Sequence, residues 1–260
     1  MTAEMPASPF SLAGRTVIVT GASRGLGADL ACAFAEAGSR VVITGRDRSR
    51  LQGTLEAITA AGGTAIAVEA DVTRPDHAQA TIDATFANFG VLDVLVNNAG
   101  SAWGAPSLDM PLERWNAVFA VNCTGTFLMA QAAARAMVPA GGGTIINVAS
   151  VAGLASISPE ITEAAGYASS KGAVITLTRE LAVQWARYGI RVNAVAPGFF
   201  DTRLSANTIS TARDTIEPLT ALGRIGRPGE LNGPVLFLAS EAARYITGHI
   251  LAVDGGMTAR

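Results

Sequence analysis

The sequence predicts an α/β fold: a doubly wound parallel sheet of about seven strands with helices on both faces. Seven short runs rich in Val and Ile recur along the 260 residues. Each run is apolar almost throughout rather than alternating, which is typical of strands buried on both faces. Stretches rich in Ala and Leu, with helical period, separate the runs. Apolar residues make up 49% of the chain and charged residues 15%, so we expect a folded protein with a sizeable core.

The predicted strands are distributed over the whole chain. In order they are Thr16–Thr20, Val41–Thr44, Ala65–Ala70, Leu92–Asn98, Thr144–Ser150, Ile190–Pro197 and His249–Gly256. Two of the helical stretches between them, ADLACAFAEAG and KGAVITLTRELAVQWARYG, end in Gly, a residue that commonly follows a helix. This alternation of strand and helix favours a parallel sheet over any antiparallel arrangement.

Composition limits the partners and the compartment. A net charge of −2 argues against a nucleic-acid-binding surface. The first ten residues do not resemble a signal peptide, and no apolar run reaches the length that a membrane span needs. Two cysteines, Cys32 and Cys123, cannot form a disulfide framework. These features predict a cytoplasmic protein that binds neither membranes nor nucleic acids.

No linker divides the chain. We therefore expect a flexible tail over residues 1–11 and a single domain over residues 12–260. The stretch 199–225 is polar, contains Pro218 and follows the end of a predicted strand. Ligands of open α/β sheets bind beyond the carboxyl ends of the strands, so we interpret this stretch as a lid or substrate loop.

A glycine-rich turn, TGASRGLG, joins the first strand to the first helix. Its glycines permit a tight turn and a close approach of the backbone to a ligand, and the helix that follows presents its positive end to a pyrophosphate. The turn therefore predicts a dinucleotide site; an ordinary tight turn is the alternative. The candidate residues are Gly21, Ser23, Arg24, Gly25, Leu26 and Gly27.

The end of the second strand indicates which dinucleotide is bound. Proteins that bind NAD usually carry an acid there, which holds the ribose hydroxyls. Here Gly45 occupies that position and Arg46 follows, with Arg24 as a second cation in the glycine turn. Two guanidinium groups suit a 2′-phosphate, so the sequence favours NADP(H). Asp47 is a counter-argument, and Arg46 as a solvated surface charge is the alternative.

The segment YASSK places a phenol and an amine four residues apart at the start of a predicted helix. Tyr167 and Lys171 therefore lie on one helix face and can enter the same pocket. Ser150 ends the fifth predicted strand, where its hydroxyl can donate to a substrate oxygen. Neither His77 nor His249 lies in a motif that would make it the base for a serine nucleophile.

Together TGASRGLG, NNAG (Asn97–Gly100), Asn122, Ser150 and YASSK resemble the motifs of the classical short-chain dehydrogenase/reductase family. The resemblance extends from Gly14 to Met257. It implies a Rossmann-like fold, hydride transfer between a nicotinamide and a ketone or secondary alcohol, and a homotetramer. The segment LGRIGRPGEL and the final VDGG are similar to the 3-oxoacyl carrier-protein reductase group.

The resemblance also implies roles for individual residues. Tyr167 would be the general acid or base, Lys171 would lower the pKa of Tyr167 and hold the nicotinamide ribose, Ser150 would bind the substrate oxygen, and Asn122 would hold a water of a proton relay. Further cofactor contacts would come from Asp71, Val72, Asn98, Gly100, Pro197, Gly198 and Thr202. A turn cap for Asp71, a solvent-facing hydroxyl for Thr202 and a structural helix residue for Asn122 are the alternatives.

Three questions stay open at this stage. The loop 151–166, with Glu160 and Glu163, is longer than in many members; it would either form a rim of the substrate site that disfavours carboxylates or be solvated and indifferent. A catalytically silent sensor or scaffold on the same fold is the alternative to an enzyme. A metal-dependent alcohol dehydrogenase is disfavoured because the two Cys and two His are scattered, so we expect no metal.

Overall fold

A computed structural model describes residues 8–259. Its seven strands form one parallel sheet in the order β3-β2-β1-β4-β5-β6-β7, which confirms the predicted fold class. Each strand falls within or close to its predicted run. The strands are β1 Thr16–Thr20, β2 Arg40–Gly45, β3 Thr64–Glu69, β4 Val94–Asn97, β5 Gly143–Val148, β6 Ile190–Pro197 and β7 Ile250–Val253.

Eight α-helices are found among residues 8–259. They are α1 Gly25–Glu36, α2 Arg48–Ala60, α3 Pro75–Phe89, α4 Leu112–Phe119, α5 Thr126–Met137, α6 Ala165–Trp185, α7 Ala206–Ile216 and α8 Asn232–Ala239. A π-helical segment, Ala120–Gly125, joins α4 to α5 without a break. A short 3₁₀ turn follows α6, and the chain then reverses at Gly189, whose φ is +73°.

The core lies on both faces of the sheet because alternate strand residues point to opposite sides. Val17 and Val19 of β1 belong to the apolar cluster under α1, α2 and α8, whereas Ile18 belongs to the cluster under α3, α5 and α6. All three side chains are fully buried. This double burial explains why the strand runs are continuously apolar.

The strand order reverses between β1 and β4. From β1 the chain builds outward through β2 and β3, and it then returns to the other side of β1 through β4. The two halves of the sheet therefore diverge at the carboxyl ends of β1 and β4, and a crevice opens there. The functional site described below occupies this crevice.

The predicted tail of residues 1–11 lies largely outside the described residues. Its last part contacts the domain: Ala242 donates a backbone hydrogen bond of 2.8 Å to the Pro9 carbonyl, and the ring of Phe10 lies 6.4 Å from that of Phe237. Residues 8–11 therefore pack against the region around α8 and do not form a loose extension.

The predicted substrate loop has its own small core. It contains α7, and Ile209 and Ile216 of this helix are buried together with Ile225. Ile161, from the long loop 151–166, belongs to the same cluster. The two loops are thus packed on each other by apolar contact, so the loop 151–166 is not simply solvated.

One helical segment contradicts the expectation that no apolar run reaches the length of a membrane span. Leu112–Ala140 spans 29 residues with a mean hydropathy of 1.3 in its most apolar window, which is long and apolar enough to cross a membrane. Half of that window is buried inside the protein, and Met129 and Met137 of α5 are fully buried. Its apolar composition is accounted for by packing against the sheet.

Candidate active site

A cavity of about 850 Å³ runs along the carboxyl end of the sheet. It brings together residues that are more than 180 positions apart in the chain, from the glycine turn to the start of the substrate loop. All the predicted site residues line it except Asn122. They are Gly21, Ser23, Arg24, Gly25, Leu26, Gly27, Arg46, Asp71, Val72, Asn98, Gly100, Ser150, Tyr167, Lys171, Pro197, Gly198 and Thr202.

The glycines of the first turn are required for different physical reasons. A Cβ at Gly21 would come within 2.7 Å of the Ala99 Cα, and one at Gly27 would overlap the Asn98 amide. These two glycines therefore allow the turn to pack against the end of β4. Gly25 adopts a φ of +54°, and its nearest neighbour there, the Thr202 Cβ, is at an ordinary distance of 3.7 Å. Gly25 thus leaves space above the start of α1 for a ligand.

Asn98 fastens the glycine turn to the loop after β4. Its side-chain nitrogen donates to the Thr20 carbonyl at 2.9 Å and to the Gly21 carbonyl at 3.2 Å. The Thr20 hydroxyl in turn accepts from the backbone nitrogens of Asn98 and Ala99, each at 3.0 Å. These four hydrogen bonds join the two segments that form the floor of the cavity.

The two predicted phosphate-binding arginines, Arg24 and Arg46, line the same part of the cavity as Gly45. Neither takes part in an ion pair among residues 8–259. Asp47, the counter-argument from sequence, instead caps α2: its carboxylate accepts from the Ser49 backbone at 3.0 Å and pairs with Arg50 at 3.0 Å. Asp47 does not line the cavity.

Asp71 lies where a cofactor contact was predicted, and it also caps a turn, which was the alternative role. It lines the cavity, yet its carboxylate also accepts from the Thr73 backbone at 2.9 Å and from the Thr73 hydroxyl at 2.8 Å. Burial tends to raise the pKa of Asp71, but these hydrogen bonds, with the charges of Arg46 and His77, hold it below its usual value. The residue is therefore ionised at neutral pH.

The start of α6 confirms the local structure predicted for YASSK. Tyr167 and Lys171 lie in the first two turns of the helix, and both line the cavity. The Lys171 ammonium donates to the Val148 carbonyl, at the end of β5, over 2.6 Å. Lys171 is 5% exposed, and burial lowers its pKa to about 8.

The expected lowering of the phenol pKa is not observed in the protein alone. Burial raises the pKa of Tyr167, and the hydrogen bond with Ser150 offsets only part of this effect. The Lys171 ammonium is 5.8 Å from the centre of the Tyr167 ring, and its positive charge does not overcome the burial. Desolvation of the phenolate therefore dominates here, and more positive charge in the cavity is needed to reverse it.

Ser150 was predicted to end the fifth strand, but β5 ends at Val148 and Ser150 lies two residues later, as the cap of a short helical turn. Its hydroxyl accepts a 3.2 Å hydrogen bond from the Ala152 backbone, which begins a short helical turn, and it hydrogen-bonds with Tyr167. The side chain is almost fully buried but lines the cavity. Two hydroxyls, one from the loop after β5 and one from α6, thus lie close together in the wall of the cavity.

Asn122 lies behind this wall, fully buried in the π-helical segment. Its side-chain oxygen accepts from the Ser101 backbone at 2.7 Å, and its nitrogen donates to the Ser101 carbonyl at 2.8 Å and to the Ser170 hydroxyl at 2.9 Å. Asn122 therefore ties α6 to the loop after β4. A Cβ at Gly100 would lie 3.6 Å from the Asn122 oxygen and 3.8 Å from the Lys171 nitrogen, so both polar groups flank one space.

The loop after β6 forms the opposite wall. Gly198 allows it to pass the chain after β7, because a Cβ there would come within 2.9 Å of the Asp254 Cα. The Thr202 hydroxyl lies 2.9 Å from that of Ser205, so it does not simply face solvent. Pro197 ends β6 and turns the chain toward the cavity.

Sequence reasoning marked two stretches of the substrate side of the cavity, 151–166 and 199–225, but few of the individual residues that line it. Glu163 lines it, as the rim interpretation required, but Glu160 does not. No motif marks the other residues, which come from three separate loops and meet only in the folded protein. They include Ser101, Ala102, Ala105, Val151, Ile157, Phe199, Arg203, Leu204 and Thr208.

Comparison with known proteins identifies the family. A family model described as enoyl-(acyl carrier protein) reductase matches residues 21–258. A short-chain type dehydrogenase/reductase from Mycobacterium marinum superimposes with a TM-score of 0.93 at 42% identity, over 96% of this chain and 98% of that one. The chain belongs to the short-chain dehydrogenase/reductase family. The resemblance predicted from the sequence motifs is confirmed.

Two other short-chain dehydrogenases/reductases are similar over nearly their full length. Cis-4-hydroxycyclohexanecarboxylate dehydrogenase of Sinomonas cyclohexanicum is 42% identical, covering 96% of this chain and 98% of the relative. The structure of gluconate 5-dehydrogenase from Burkholderia cenocepacia, in complex with NADP and tartrate, has a TM-score of 0.92 at 38% identity and covers 97% of this chain and 98% of that one.

The metal-dependent alternative finds no support in this short-chain dehydrogenase/reductase. Across residues 8–259, no group of three or more His, Cys, Asp or Glu side chains could hold a metal ion. Cys32 and Cys123 are both free thiols in separate parts of the fold. Besides the carboxylates of Asp71 and Glu163, the described lining of the cavity offers hydroxyls and an ammonium around Tyr167 for acid–base chemistry.

Proposed function

We propose that the protein is an NADP(H)-dependent oxidoreductase that interconverts a ketone and a secondary alcohol, with Tyr167 as the general acid in reduction and the general base in oxidation. The observation that carries this proposal is one cavity lined both by a glycine turn with two arginines that form no ion pair and by the group Ser150, Tyr167 and Lys171. This shared cavity supports a dinucleotide that is bound beside a proton donor.

The residues present fit a dinucleotide phosphate. Gly25 leaves the start of α1 open to a pyrophosphate, and the unpaired Arg24 and Arg46 suit a 2′-phosphate. Asp71 and Val72 would border the adenine, Asn98 and Gly100 its ribose, and Pro197, Gly198 and Thr202 the nicotinamide. When bound, the cofactor supplies or accepts a hydride and, in its oxidised form, adds a positive charge to the cavity.

During reduction, the Tyr167 hydroxyl donates its proton to the carbonyl oxygen as the carbonyl carbon is reduced; during oxidation the phenolate takes the proton from the alcohol. Ser150 donates a hydrogen bond to the same oxygen and stabilises its developing negative charge. Lys171 keeps its ammonium buried next to the phenol, which favours the phenolate. Asn122 positions the loop after β4 and α6, and it would hold the water that carries a proton to Lys171.

Initial-rate measurements with NADPH and NADH against a panel of thioester, sugar-acid and cyclic ketones test this proposal. We expect turnover with at least one ketone and a clear preference for NADPH. Tight NADPH binding without turnover of any substrate would instead favour the catalytically silent sensor or scaffold. That alternative would be expected to lack at least one of Ser150, Tyr167 and Lys171, and all three are present.

The proposal extends to the setting of the enzyme. We place it in the cytoplasm as a homotetramer, without membrane or nucleic-acid partners and without a metal, acting on a small carbonyl or alcohol substrate. Residues 12–260 form the single catalytic domain and the stretch 199–225 its substrate loop. The apolar side chains left exposed, such as Leu112 at 71% and Val183 at 80%, are available for contacts between subunits.

A further inference from the structure

The substrate side of the cavity contains an arginine that the proposed function does not use. Arg203 lines the cavity from the loop after β6, next to Thr202. Among residues 8–259 the ion pairs involve Arg15, Arg50, Arg74, Arg213 and Arg224, but not Arg203. An unpaired guanidinium at the edge of a ligand cavity is available to an anionic group of the ligand.

The backbone that carries Arg203 is held in place. The Ser205 hydroxyl donates to the Phe200 carbonyl and to the Thr202 carbonyl, and it accepts from the Thr202 backbone at 3.3 Å. Phe200 also forms a β-bridge with Gly226 at the far end of the substrate loop. The turn from Phe200 to Ser205 is therefore fixed at both ends, and Arg203 starts from a defined position at the rim.

The wall of the cavity on the substrate side combines apolar and hydroxyl side chains. Its carboxylate is Glu163, from the loop before α6. The apolar part consists of Ala102, Ala105, Val151, Ile157, Phe199 and Leu204, and the hydroxyls include those of Ser101, Ser156, Thr162 and Thr208. Such a lining suits a compact ligand with apolar and polar parts, and an arginine at its edge can fix the orientation of one anionic group.

We propose that Arg203 binds a carboxylate of the substrate, so that the enzyme acts on oxo acids and hydroxy acids whose carboxylate is separated from the reacting carbon. This inference rests on the proposed function and names its substrate class. Glu163 repels the same carboxylate, so the two charges together orient the substrate with its acid group toward α7. The expectation from sequence, that the acids of the long loop disfavour carboxylates, is thereby restricted to one side of the cavity.

Equilibrium binding tests the inference independently of turnover. The probes are cyclohexanecarboxylate and its neutral analogue cyclohexanecarboxamide, titrated by calorimetry into the enzyme saturated with NADP⁺. We expect the wild type to bind the carboxylate about tenfold more tightly or better, as a charged hydrogen-bonded pair predicts. Arg203→Gln should remove this difference, Arg203→Lys should retain part of it, and Glu163→Gln should increase it. Arg244→Gln, which changes an exposed arginine outside the cavity, is the matched control.

Three results would overturn the inference: equal affinity of the wild type for the two probes, no measurable affinity for the carboxylate, or an equal loss of carboxylate preference in Arg244→Gln. A weaker affinity of Arg203→Gln for NADP⁺ itself would assign the guanidinium to the cofactor and also overturn it. Turnover of 4-oxocyclohexanecarboxamide with NADPH distinguishes failure of this inference from failure of the proposed function. If this neutral ketone reacts equally in wild type and Arg203→Gln, the proposed function stands whatever the fate of Arg203.

Discussion

The Lys171 ammonium donates a 2.6 Å hydrogen bond to the Val148 carbonyl, which links the catalytic end of α6 to the last residue of β5. A buried ammonium with one carbonyl partner and no carboxylate is costly, and this cost is reflected in the pKa of about 8 for Lys171. Under the proposed function, this charge would serve the chemistry at the expense of stability.

Replacing Lys171 by Met should abolish activity while changing stability in a pH-dependent way. The folded-state pKa of about 8 lies below the ordinary 10.5, so the unfolded chain binds more protons between these values. Burial of the ammonium thus destabilises the wild type by about 3 kcal/mol below pH 8, and this cost fades as the pH rises toward 10.5.

Urea unfolding of wild type and Lys171→Met at pH 7 and pH 9.5 measures this effect. The stability of the variant relative to the wild type should be greatest at pH 7 and should fall at pH 9.5. The packing of the methionine side chain shifts both values equally and does not change the trend. A difference that is independent of pH would show that Lys171 has an ordinary pKa.

Tyr167→Phe should reduce kcat by about 10²–10⁴-fold and leave the affinity for NADPH nearly unchanged, because only the proton donor is lost. Ser150→Ala should reduce kcat by about 10²–10³-fold. Single-turnover kinetics and NADPH fluorescence titration give the two quantities separately. Tyr188→Phe, at an exposed tyrosine outside the cavity, is the control and should retain the wild-type rate. Normal activity of the Tyr167→Phe enzyme would show that another group is the proton donor.

Arg46→Ala should lower the ratio of kcat/KM for NADPH to that for NADH by about tenfold or more, because a charged hydrogen bond to the 2′-phosphate is lost. Activity with NADH should change little. Arg48→Ala, which removes a neighbouring arginine that does not line the cavity, is the control. Comparable wild-type rates with the two cofactors, or a strong NADPH preference that persists in Arg46→Ala, would assign the specificity to other residues.

Gly21→Ala should destabilise the protein by at least about 2 kcal/mol, because the residue has a φ of +66° and an added Cβ would come within 2.7 Å of the Ala99 Cα. Gly53→Ala provides the contrast. Gly53 lies inside α2 with no atom within 4 Å of an added Cβ, so alanine should stabilise the helix by about 0.5–1 kcal/mol. Thermal unfolding of the two variants should therefore give shifts of opposite sign.

The motifs predicted those parts of the site whose chemistry follows from local geometry. The four-residue spacing of Tyr167 and Lys171 puts them on one face of α6, and the glycine turn between a strand and a helix indicates a phosphate site wherever it occurs. The motifs could not show how the surrounding residues change the pKa values of Tyr167 and Lys171. Burial raises the pKa of Tyr167 although a lysine is near, and that balance depends on the packing of distant segments.

The sequence by itself determined the fold class, the seven strands and the candidate catalytic residues, because hydrophobic period and motif spacing are local properties of a chain. Only the tertiary structure decided that Asp47 caps a helix while Arg46 lines the cavity without an ion pair, that Asn122 binds Ser101 and Ser170, and that Arg203 lines the same cavity. The physical reason is that charge pairing, burial and hydrogen-bond partners are set by contacts between residues far apart in the chain.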